Sequence, residues 1–374
     1  MIRKYLLSRG FALPEADWYK QVDLYKRWYQ GNVKGFHDYW VFNGVNRKTV
    51  RRMGLGMAKT VCEDHASLLL NERVSITAGG FGELPALLEK MRFHELGNRL
   101  VELAFAMGTG AMVEYLGADG CPRLDYIPAD MIYPIEWDGP IVTACAFASR
   151  KVLKGELGYY VQIHMRGEDG AYRLENVYLT KTGAAAPPPD GVQPFVETGS
   201  PLPLFQLFSP ACVNNVDLNS PMGISVYGNA FDQLKACDLL YDSYVNEYNL
   251  GRKRLMVPMS MATIQAQADG LLQPRFDPND SVFYVYQQGD DEKQTLSEVG
   301  GNLRASEHEL GLQRMLDALS KKCGLGAGRY RFDQAGANKT ATEVISQQSD
   351  LYQTMRRNEK PLERAIRGMV QALA

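Results

Sequence analysis

The basic and polar side chains gathered just before residue 344 are the first place to look for chemistry. Arg329, Arg331, Asn338 and Lys339 follow a run of glycines at 324, 326 and 328, and Gly336-Ala-Asn-Lys339-Thr340 comes near to a phosphate-cradling loop. Such a loop needs glycine directly before the Lys-Ser/Thr pair, so that backbone amides and the ammonium converge on the phosphates. Here Ala337 and Asn338 intervene and no predicted strand leads into the segment, so nucleotide binding is not expected. Thr340-Ala-Thr-Glu343 fits a capping box instead: the Thr340 hydroxyl would accept from the Glu343 amide, and the Glu343 carboxylate would reach back to the Thr340 amide.

Other constellations are weaker. Cys62 and His65 have a spacing that could share a metal on one helix face, but no second pair accompanies them, and His37, His94, His164 and His308 are dispersed. No Gly-x-Ser-x-Gly elbow, His-Glu-x-x-His motif or dinucleotide fingerprint occurs. Asp64, Glu343 and Asp350 read as caps or solvated helix faces. No catalytic residue, metal or cofactor is therefore expected, and the chain reads as a non-enzyme. A nucleic-acid-processing enzyme would need clustered acidic metal ligands that the sequence does not display.

The composition agrees. The 374 residues are 45% hydrophobic and 22% charged, enough for about two domains. A formal net charge of −2 lacks the cationic excess of a protein that grips phosphates on its own. Six scattered cysteines without a Cys-x-x-Cys pair read as reduced thiols of a cytosolic protein, with no disulfides. No apolar leader or membrane-length apolar run is present, so neither secretion nor membrane spanning is indicated.

The positioning elements follow from periodicity. Aromatics crowd residues 15–42, including Trp18, Tyr25, Trp28, Trp40 and Phe42, and read as packing at a subunit interface. Helical spacing predicts an amphipathic helix from Arg47 to Glu72, with a basic start, and a second from Leu84 to Met107. Alternating segments between Met112 and Leu179 predict an antiparallel sheet, so the class is α+β. Residues 183–203 are rich in Pro and Gly and read as a loop. A long helix is predicted from about Ser225 to Leu250 with Gly251 as its C-cap. A short β-containing insert follows, then a helix from about Leu303 to Cys323, stopped by the glycines, and a long final helix from Thr340 in which Pro361 predicts a kink or break.

Three segments, in order, carry a family resemblance. Met57-Ala-Lys-Thr-Val61-Cys-Glu-Asp-His65-Ala-Ser-Leu68-Leu-Leu-Asn71-Glu72, Ser220-Pro-Met-Gly-Ile-Ser225 and Asn338-Lys-Thr340-Ala-Thr-Glu343-Val-Ile-Ser346 together resemble the SPP1-type phage portal proteins. The resemblance implies a dodecameric, DNA-conducting ring at a capsid vertex of the virion, assembled in the host cytoplasm. It also implies a wing (1–219), a first stem helix (220–252), an α/β clip (253–301), a second stem helix (302–323), a tunnel loop (324–340) and a long helix towards wing and crown (341–374). The chain stops at Ala374, so a short or absent crown is expected. Implied partners are further copies of the chain, double-stranded DNA without sequence readout, the terminase large subunit, head-completion adaptors, and capsid and scaffold proteins. Ring repetition would turn Arg329, Arg331, Asn338 and Lys339 into bands facing DNA without making the monomer basic. Another virion assembly or scaffold protein is the main alternative.

Overall fold

The computed structural model describes all residues except 43–45, 118–119, 154, 188–190, 252–253, 259–263, 267–271, 275–282, 287–296, 300–301 and 332–340. For 153, 250, 258, the strand residues between 264 and 299, and 341–348, it describes the backbone alone.

In chain order, α1 (Ile2–Ser8) and α2 (Ala16–Tyr29) precede a hairpin of β1 (Asp38–Phe42) and β2 (Arg47–Arg51). Next come α3 (Met57–Leu69), α4 (Leu84–Lys90) and α5 (Phe93–Met107). A strand-rich stretch holds β3 (Gly110–Leu116), β4 (Pro122–Pro128), β5 (Ile132–Asp138), β6 (Ile141–Leu153), β7 (Glu156–Arg166), β8 (Tyr172–Thr180), β9 (Ala185–Ala186), β10 (Phe195–Glu197) and β11 (Phe205–Phe208). After α6 (Phe231–Leu250) lie β12 (Arg254–Pro258), β13 (Ile264–Ala266), β14 (Leu272–Pro274), β15 (Phe283–Tyr286) and β16 (Ser297–Val299), then α7 (Ala305–Lys322) and α8 (Ala341–Leu373). The class is α+β, as expected.

The chain divides into two compact units. The larger comprises Met1–Arg51, Gly56–Lys235 and Leu316–Ala374. Its main sheet has the order β10-β8-β7-β6-β5, with β9 paired to β8. Strand alternation gives this sheet two different faces. On one, Ile2 and Leu6 of α1 pack on Ala146, Val161, Ile163 and Leu179. On the other, Phe147 and His164 meet Phe205 at ring distances of 5.2 and 5.4 Å, joining the sheet to a second one ordered β11-β3-β4. Trp18, Val22, Tyr25 and Trp28 form the buried stripe of α2, so the interface expectation is corrected for these aromatics, which are core of the chain itself, while Trp40 and Phe42 stay exposed.

Three expectations from the sequence are corrected. Residues 47–51, predicted as the basic start of a helix, are strand β2: it pairs with β1 from Asp38↔Arg51 to Phe42↔Arg47, and the helix begins only after Gly56, whose φ is 72°. The β-branched pair Thr49-Val50 favours the strand, and glycines 54 and 56 disfavour continuous helix. The helix predicted from Leu84 to Met107 is two, because Arg92 takes φ 53°, with its guanidinium held by the Glu95 carboxylate at 2.6 Å. Helix α6 starts at Phe231 rather than near Ser225, since the chain before it turns to bond α5: the Val226 amide and the Ser225 hydroxyl both donate to the Phe105 carbonyl, at 3.0 and 3.1 Å. Two smaller differences remain. Short strands β9 and β10 lie within the predicted loop, and α8 runs through Pro361 unbroken.

One close approach explains a glycine. Gly108 turns the chain from α5 into β3 with φ 95°, and a Cβ there would lie 2.4 Å from the Gly223 carbonyl oxygen. A Cβ on Gly223 would meet the Gly108 oxygen at the same distance, so the segment 220–225 crosses here only as bare backbone.

The smaller unit comprises Arg52–Leu55 and Ala236–Met315. Within it α6 and α7 run antiparallel, because Glu247 meets Arg304 (2.8 Å), Tyr244 stacks on His308 and Leu240 lies opposite Gly311. The Arg304 guanidinium holds the Glu247 carboxylate down at about 2. On α6, Asp238 and Asp242 lie one turn apart and accept the backbone amides of Leu55 (2.7 Å) and Met53 (3.0 Å), which fixes the short segment before α3. Strand β12 pairs in parallel with β15 and antiparallel with β16, and β13 pairs with β14. Among the described residues no helix is long and apolar enough to cross a membrane.

A buried carboxyl generates a stability prediction. Glu114 on β3 is 4% exposed, its Oε1 has no hydrogen-bond partner, and burial pushes its pKa up to about 8. The folded chain therefore keeps a proton that the unfolded chain has already released near pH 4.5, and stability falls as pH rises until the folded group ionises. Between about pH 5.5 and 7 the slope contributed by this group is about 1.4 kcal/mol per pH unit, falling to about half of that at pH 8. Urea unfolding of Glu114→Gln is expected to remove that slope and to give a chain about 1–3 kcal/mol more stable than the parent at pH 8.

Candidate functional site: a clamp at residues 323–331

The glycine-rich stop after α7 is built into α3. Gly324, Gly326 and Gly328 all adopt positive φ, between 76° and 81°, where side chains are strained, and this lets the chain reverse within a few residues. The Leu325 amide donates to the Ser320 carbonyl at 2.9 Å, and the Ser320 hydroxyl donates to the Gly326 carbonyl at 2.5 Å. The turn is thus tied back onto the helix it terminates.

Two adjacent residues of α3 then grip this turn. His65 is fully buried, its ring stacked 4.8 Å from Phe105, and its Nε2 lies 3.0 Å from the Cys323 carbonyl oxygen. A carbonyl only accepts, so the Nε2–H tautomer is the one that satisfies the bond. Burial holds the imidazole down at about 4, so it is neutral at physiological pH. Next to it, Asp64 accepts from the Arg329 guanidinium at 2.9 and 3.3 Å and from the Tyr330 hydroxyl at 2.8 Å. Burial, then the Asp64 charge, push the Tyr330 phenol well above its ordinary value. The backbone at 323 and the side chains at 329 and 330 are therefore fixed to one face of α3.

The expected DNA-facing residues separate on this geometry. Arg329 is engaged by Asp64. Arg331 follows it, half-buried, with its Nε unpartnered. Asn338, Lys339 and Thr340 lie outside the described residues, so the capping box does too, and Glu343 is described only as backbone of α8. Cys62, one turn before Ala66 on α3, is buried and its thiol is pushed well above its ordinary range by burial; His65 beside it is spent on a carbonyl. The pair has a packing role.

Asp64 is the residue that the sequence reading missed. A carboxylate on an amphipathic helix looks like a solvated face, and its cationic partner is 265 positions away. The available signal was the pairing of an Asp-His dipeptide on a helix with an Arg-Tyr dipeptide just after three glycines. The geometry has holding chemistry and no reacting group: a neutral imidazole, an ion pair, a phenol donor and a buried thiol.

Removing the carboxylate leaves a partly buried guanidinium and a phenol without their acceptor. The Asp64→Ala substitution is expected to cost about 1–3 kcal/mol in urea unfolding and to open the 323–331 turn to limited proteolysis, with Asp64→Asn intermediate.

Residues 15–374 match the family model described as "Phage portal protein, SPP1 Gp6-like". No match was found among curated proteins.

Proposed function

Because the chain belongs to the SPP1-type family of phage portal proteins, we propose that it is one subunit of a dodecameric channel through which double-stranded DNA is packaged and later ejected. The family is structural rather than enzymatic, and membership implies a homo-oligomeric ring in the capsid with DNA passing through it. The observation that carries the reading is the extent of the match, which takes in the α3 motif, the α7–turn–α8 succession and the smaller unit between α6 and α7.

On this reading residues 1–219 form the wing, α6 and α7 the stem, residues 253–301 the clip and 324–340 the tunnel loop, with α8 returning towards the wing. The antiparallel contacts of α6 with α7 suit a stem. The clip would meet the terminase large subunit during packaging and head-completion adaptors afterwards, and the outer surface would meet capsid and scaffold proteins.

The clamp on α3 gives the tunnel loop a fixed root. Asp64 holds Arg329 and Tyr330, so the loop is anchored to α3 as far as residue 330. Asp64 also offsets the Arg329 charge, leaving Arg331 and Lys339 as the cations best suited to phosphate contact. Weak, repeated, sequence-independent contacts suit a strand that must slide, and twelve copies supply them although each chain carries a net charge of −2.

Negative-stain electron microscopy together with solution mass tests the reading. Closed rings with an axial hole are expected, at twelve times the 41.8 kDa chain mass, about 500 kDa. A strict monomer at every concentration contradicts it.

A further inference from the structure

The hairpin β1–β2 of the larger unit is mostly exposed. Trp40 is 70% exposed and Phe42 66%, and both lie on one face with Arg47, which pairs directly opposite Phe42. Val41 is also exposed. A lone two-stranded hairpin is marginal in water, and two large exposed aromatics towards its turn end deepen that problem. Its base, however, is held: Arg51 meets Asp38 at 3.3 Å and donates to the Gly31 carbonyl at 3.2 Å, and Phe36 and His37 pack on Trp28. This is an anchored arm with an uncovered apolar tip. Its strands carry three cations, Arg47, Lys48 and Arg51, against the single carboxylate of Asp38.

The same unit contains a groove of matching character. It has a volume of about 680 Å³ and lies between α8 and the segment that follows α3. Val74, Ile76 and Ile366 line it, and Glu359 and Glu363 stand exposed at its rim. Arg367 answers Glu363 at 2.7 Å, but Glu359 has only a 3.9 Å approach from Arg356, leaving carboxylate free to receive another cation. Helix α3 touches both α2, which leads into the hairpin, and α8, which forms the groove wall, while no comparably extensive contact joins α2 to α8. Arm and groove therefore belong to two helices that each pack on α3 without extensive contact with one another. A surface that fits a different surface of another copy is the kind of contact from which head-to-tail rings close.

We propose that the β1–β2 hairpin is an arm that seats Trp40 and Phe42 in the groove between α8 and residues 69–79 of a second copy of this chain, with Arg47 meeting the Glu359 carboxylate. The inference rests on the ring reading above and names its contact. Buried aromatic anchors with a charged rim are the usual centre of an interface.

Photocrosslinking from the full chain, with Trp40→p-benzoylphenylalanine, tests it. Linked species at twice the chain mass are expected, with mass spectrometry mapping the link to residues 69–79 or 359–371. As a second readout, Arg47→Glu is expected to raise the concentration at which rings dissociate by at least tenfold, and adding Glu359→Lys to restore it to within about threefold. Both positions are exposed, so folding is not at stake. Rings whose crosslinks map elsewhere or to a different virion protein, or whose dissociation ignores Arg47→Glu, overturn the docking and leave the portal reading intact. Absence of rings in the unsubstituted chain overturns both.

Discussion

The neutral ring of His65, held between the Phe105 ring and the Cys323 carbonyl, ties three distant parts of the larger unit into one packed joint. It requires α3 and α5 to lie face to face, and it requires the chain after α7 to return to that spot. Once α5 is fixed, Gly108 and Gly223 can pass at backbone contact distance, the Phe105 carbonyl can accept from residues 225 and 226, and α6 can begin where it does. The cost is a buried imidazole that stays neutral to about pH 4. Asp64, one residue away, extends the same joint to Arg329 and Tyr330.

The turn at 323–331 is where a helix running out of the smaller unit delivers the chain to the segment before α8. Glycines at 324, 326 and 328 supply the reversal, and α3 supplies the rigidity. On the proposed reading the clamp gives a DNA-contacting loop its firm root, with Asp64 holding the chain as far as Tyr330. On that reading, sequence-independent contact would depend on repetition around a ring rather than on any strongly basic patch in one chain.

Much of this was legible in the sequence, for definite reasons. The strands from Met112 to Leu179, the helices near 231–250 and 305–322 and the glycine stop carry clear periods and breakers, and the three family-like segments placed the chain correctly. Other features were hidden because their cause is tertiary. Residues 47–51 show helical spacing, yet pairing with β1 wins locally. The break at Arg92 depends on one left-handed residue supported by Glu95. Asp64 is indistinguishable from a solvated carboxylate until α3 and the turn meet. The aromatics of residues 15–42 form one cluster in the sequence but divide in space, with Trp18, Tyr25 and Trp28 inside the chain and Trp40 and Phe42 outside it.

The central claim is that α3 roots a channel-lining loop. A cryo-electron microscopy reconstruction of the assembled ring, at a resolution that traces side chains, tests it most directly. The account predicts the Asp64–Arg329–Tyr330 contacts intact in every subunit, with residues 331–340 at the narrowest part of the axial channel. A ring in which residues 331–340 face the outer wall, or in which Asp64 and Arg329 are apart, would contradict it.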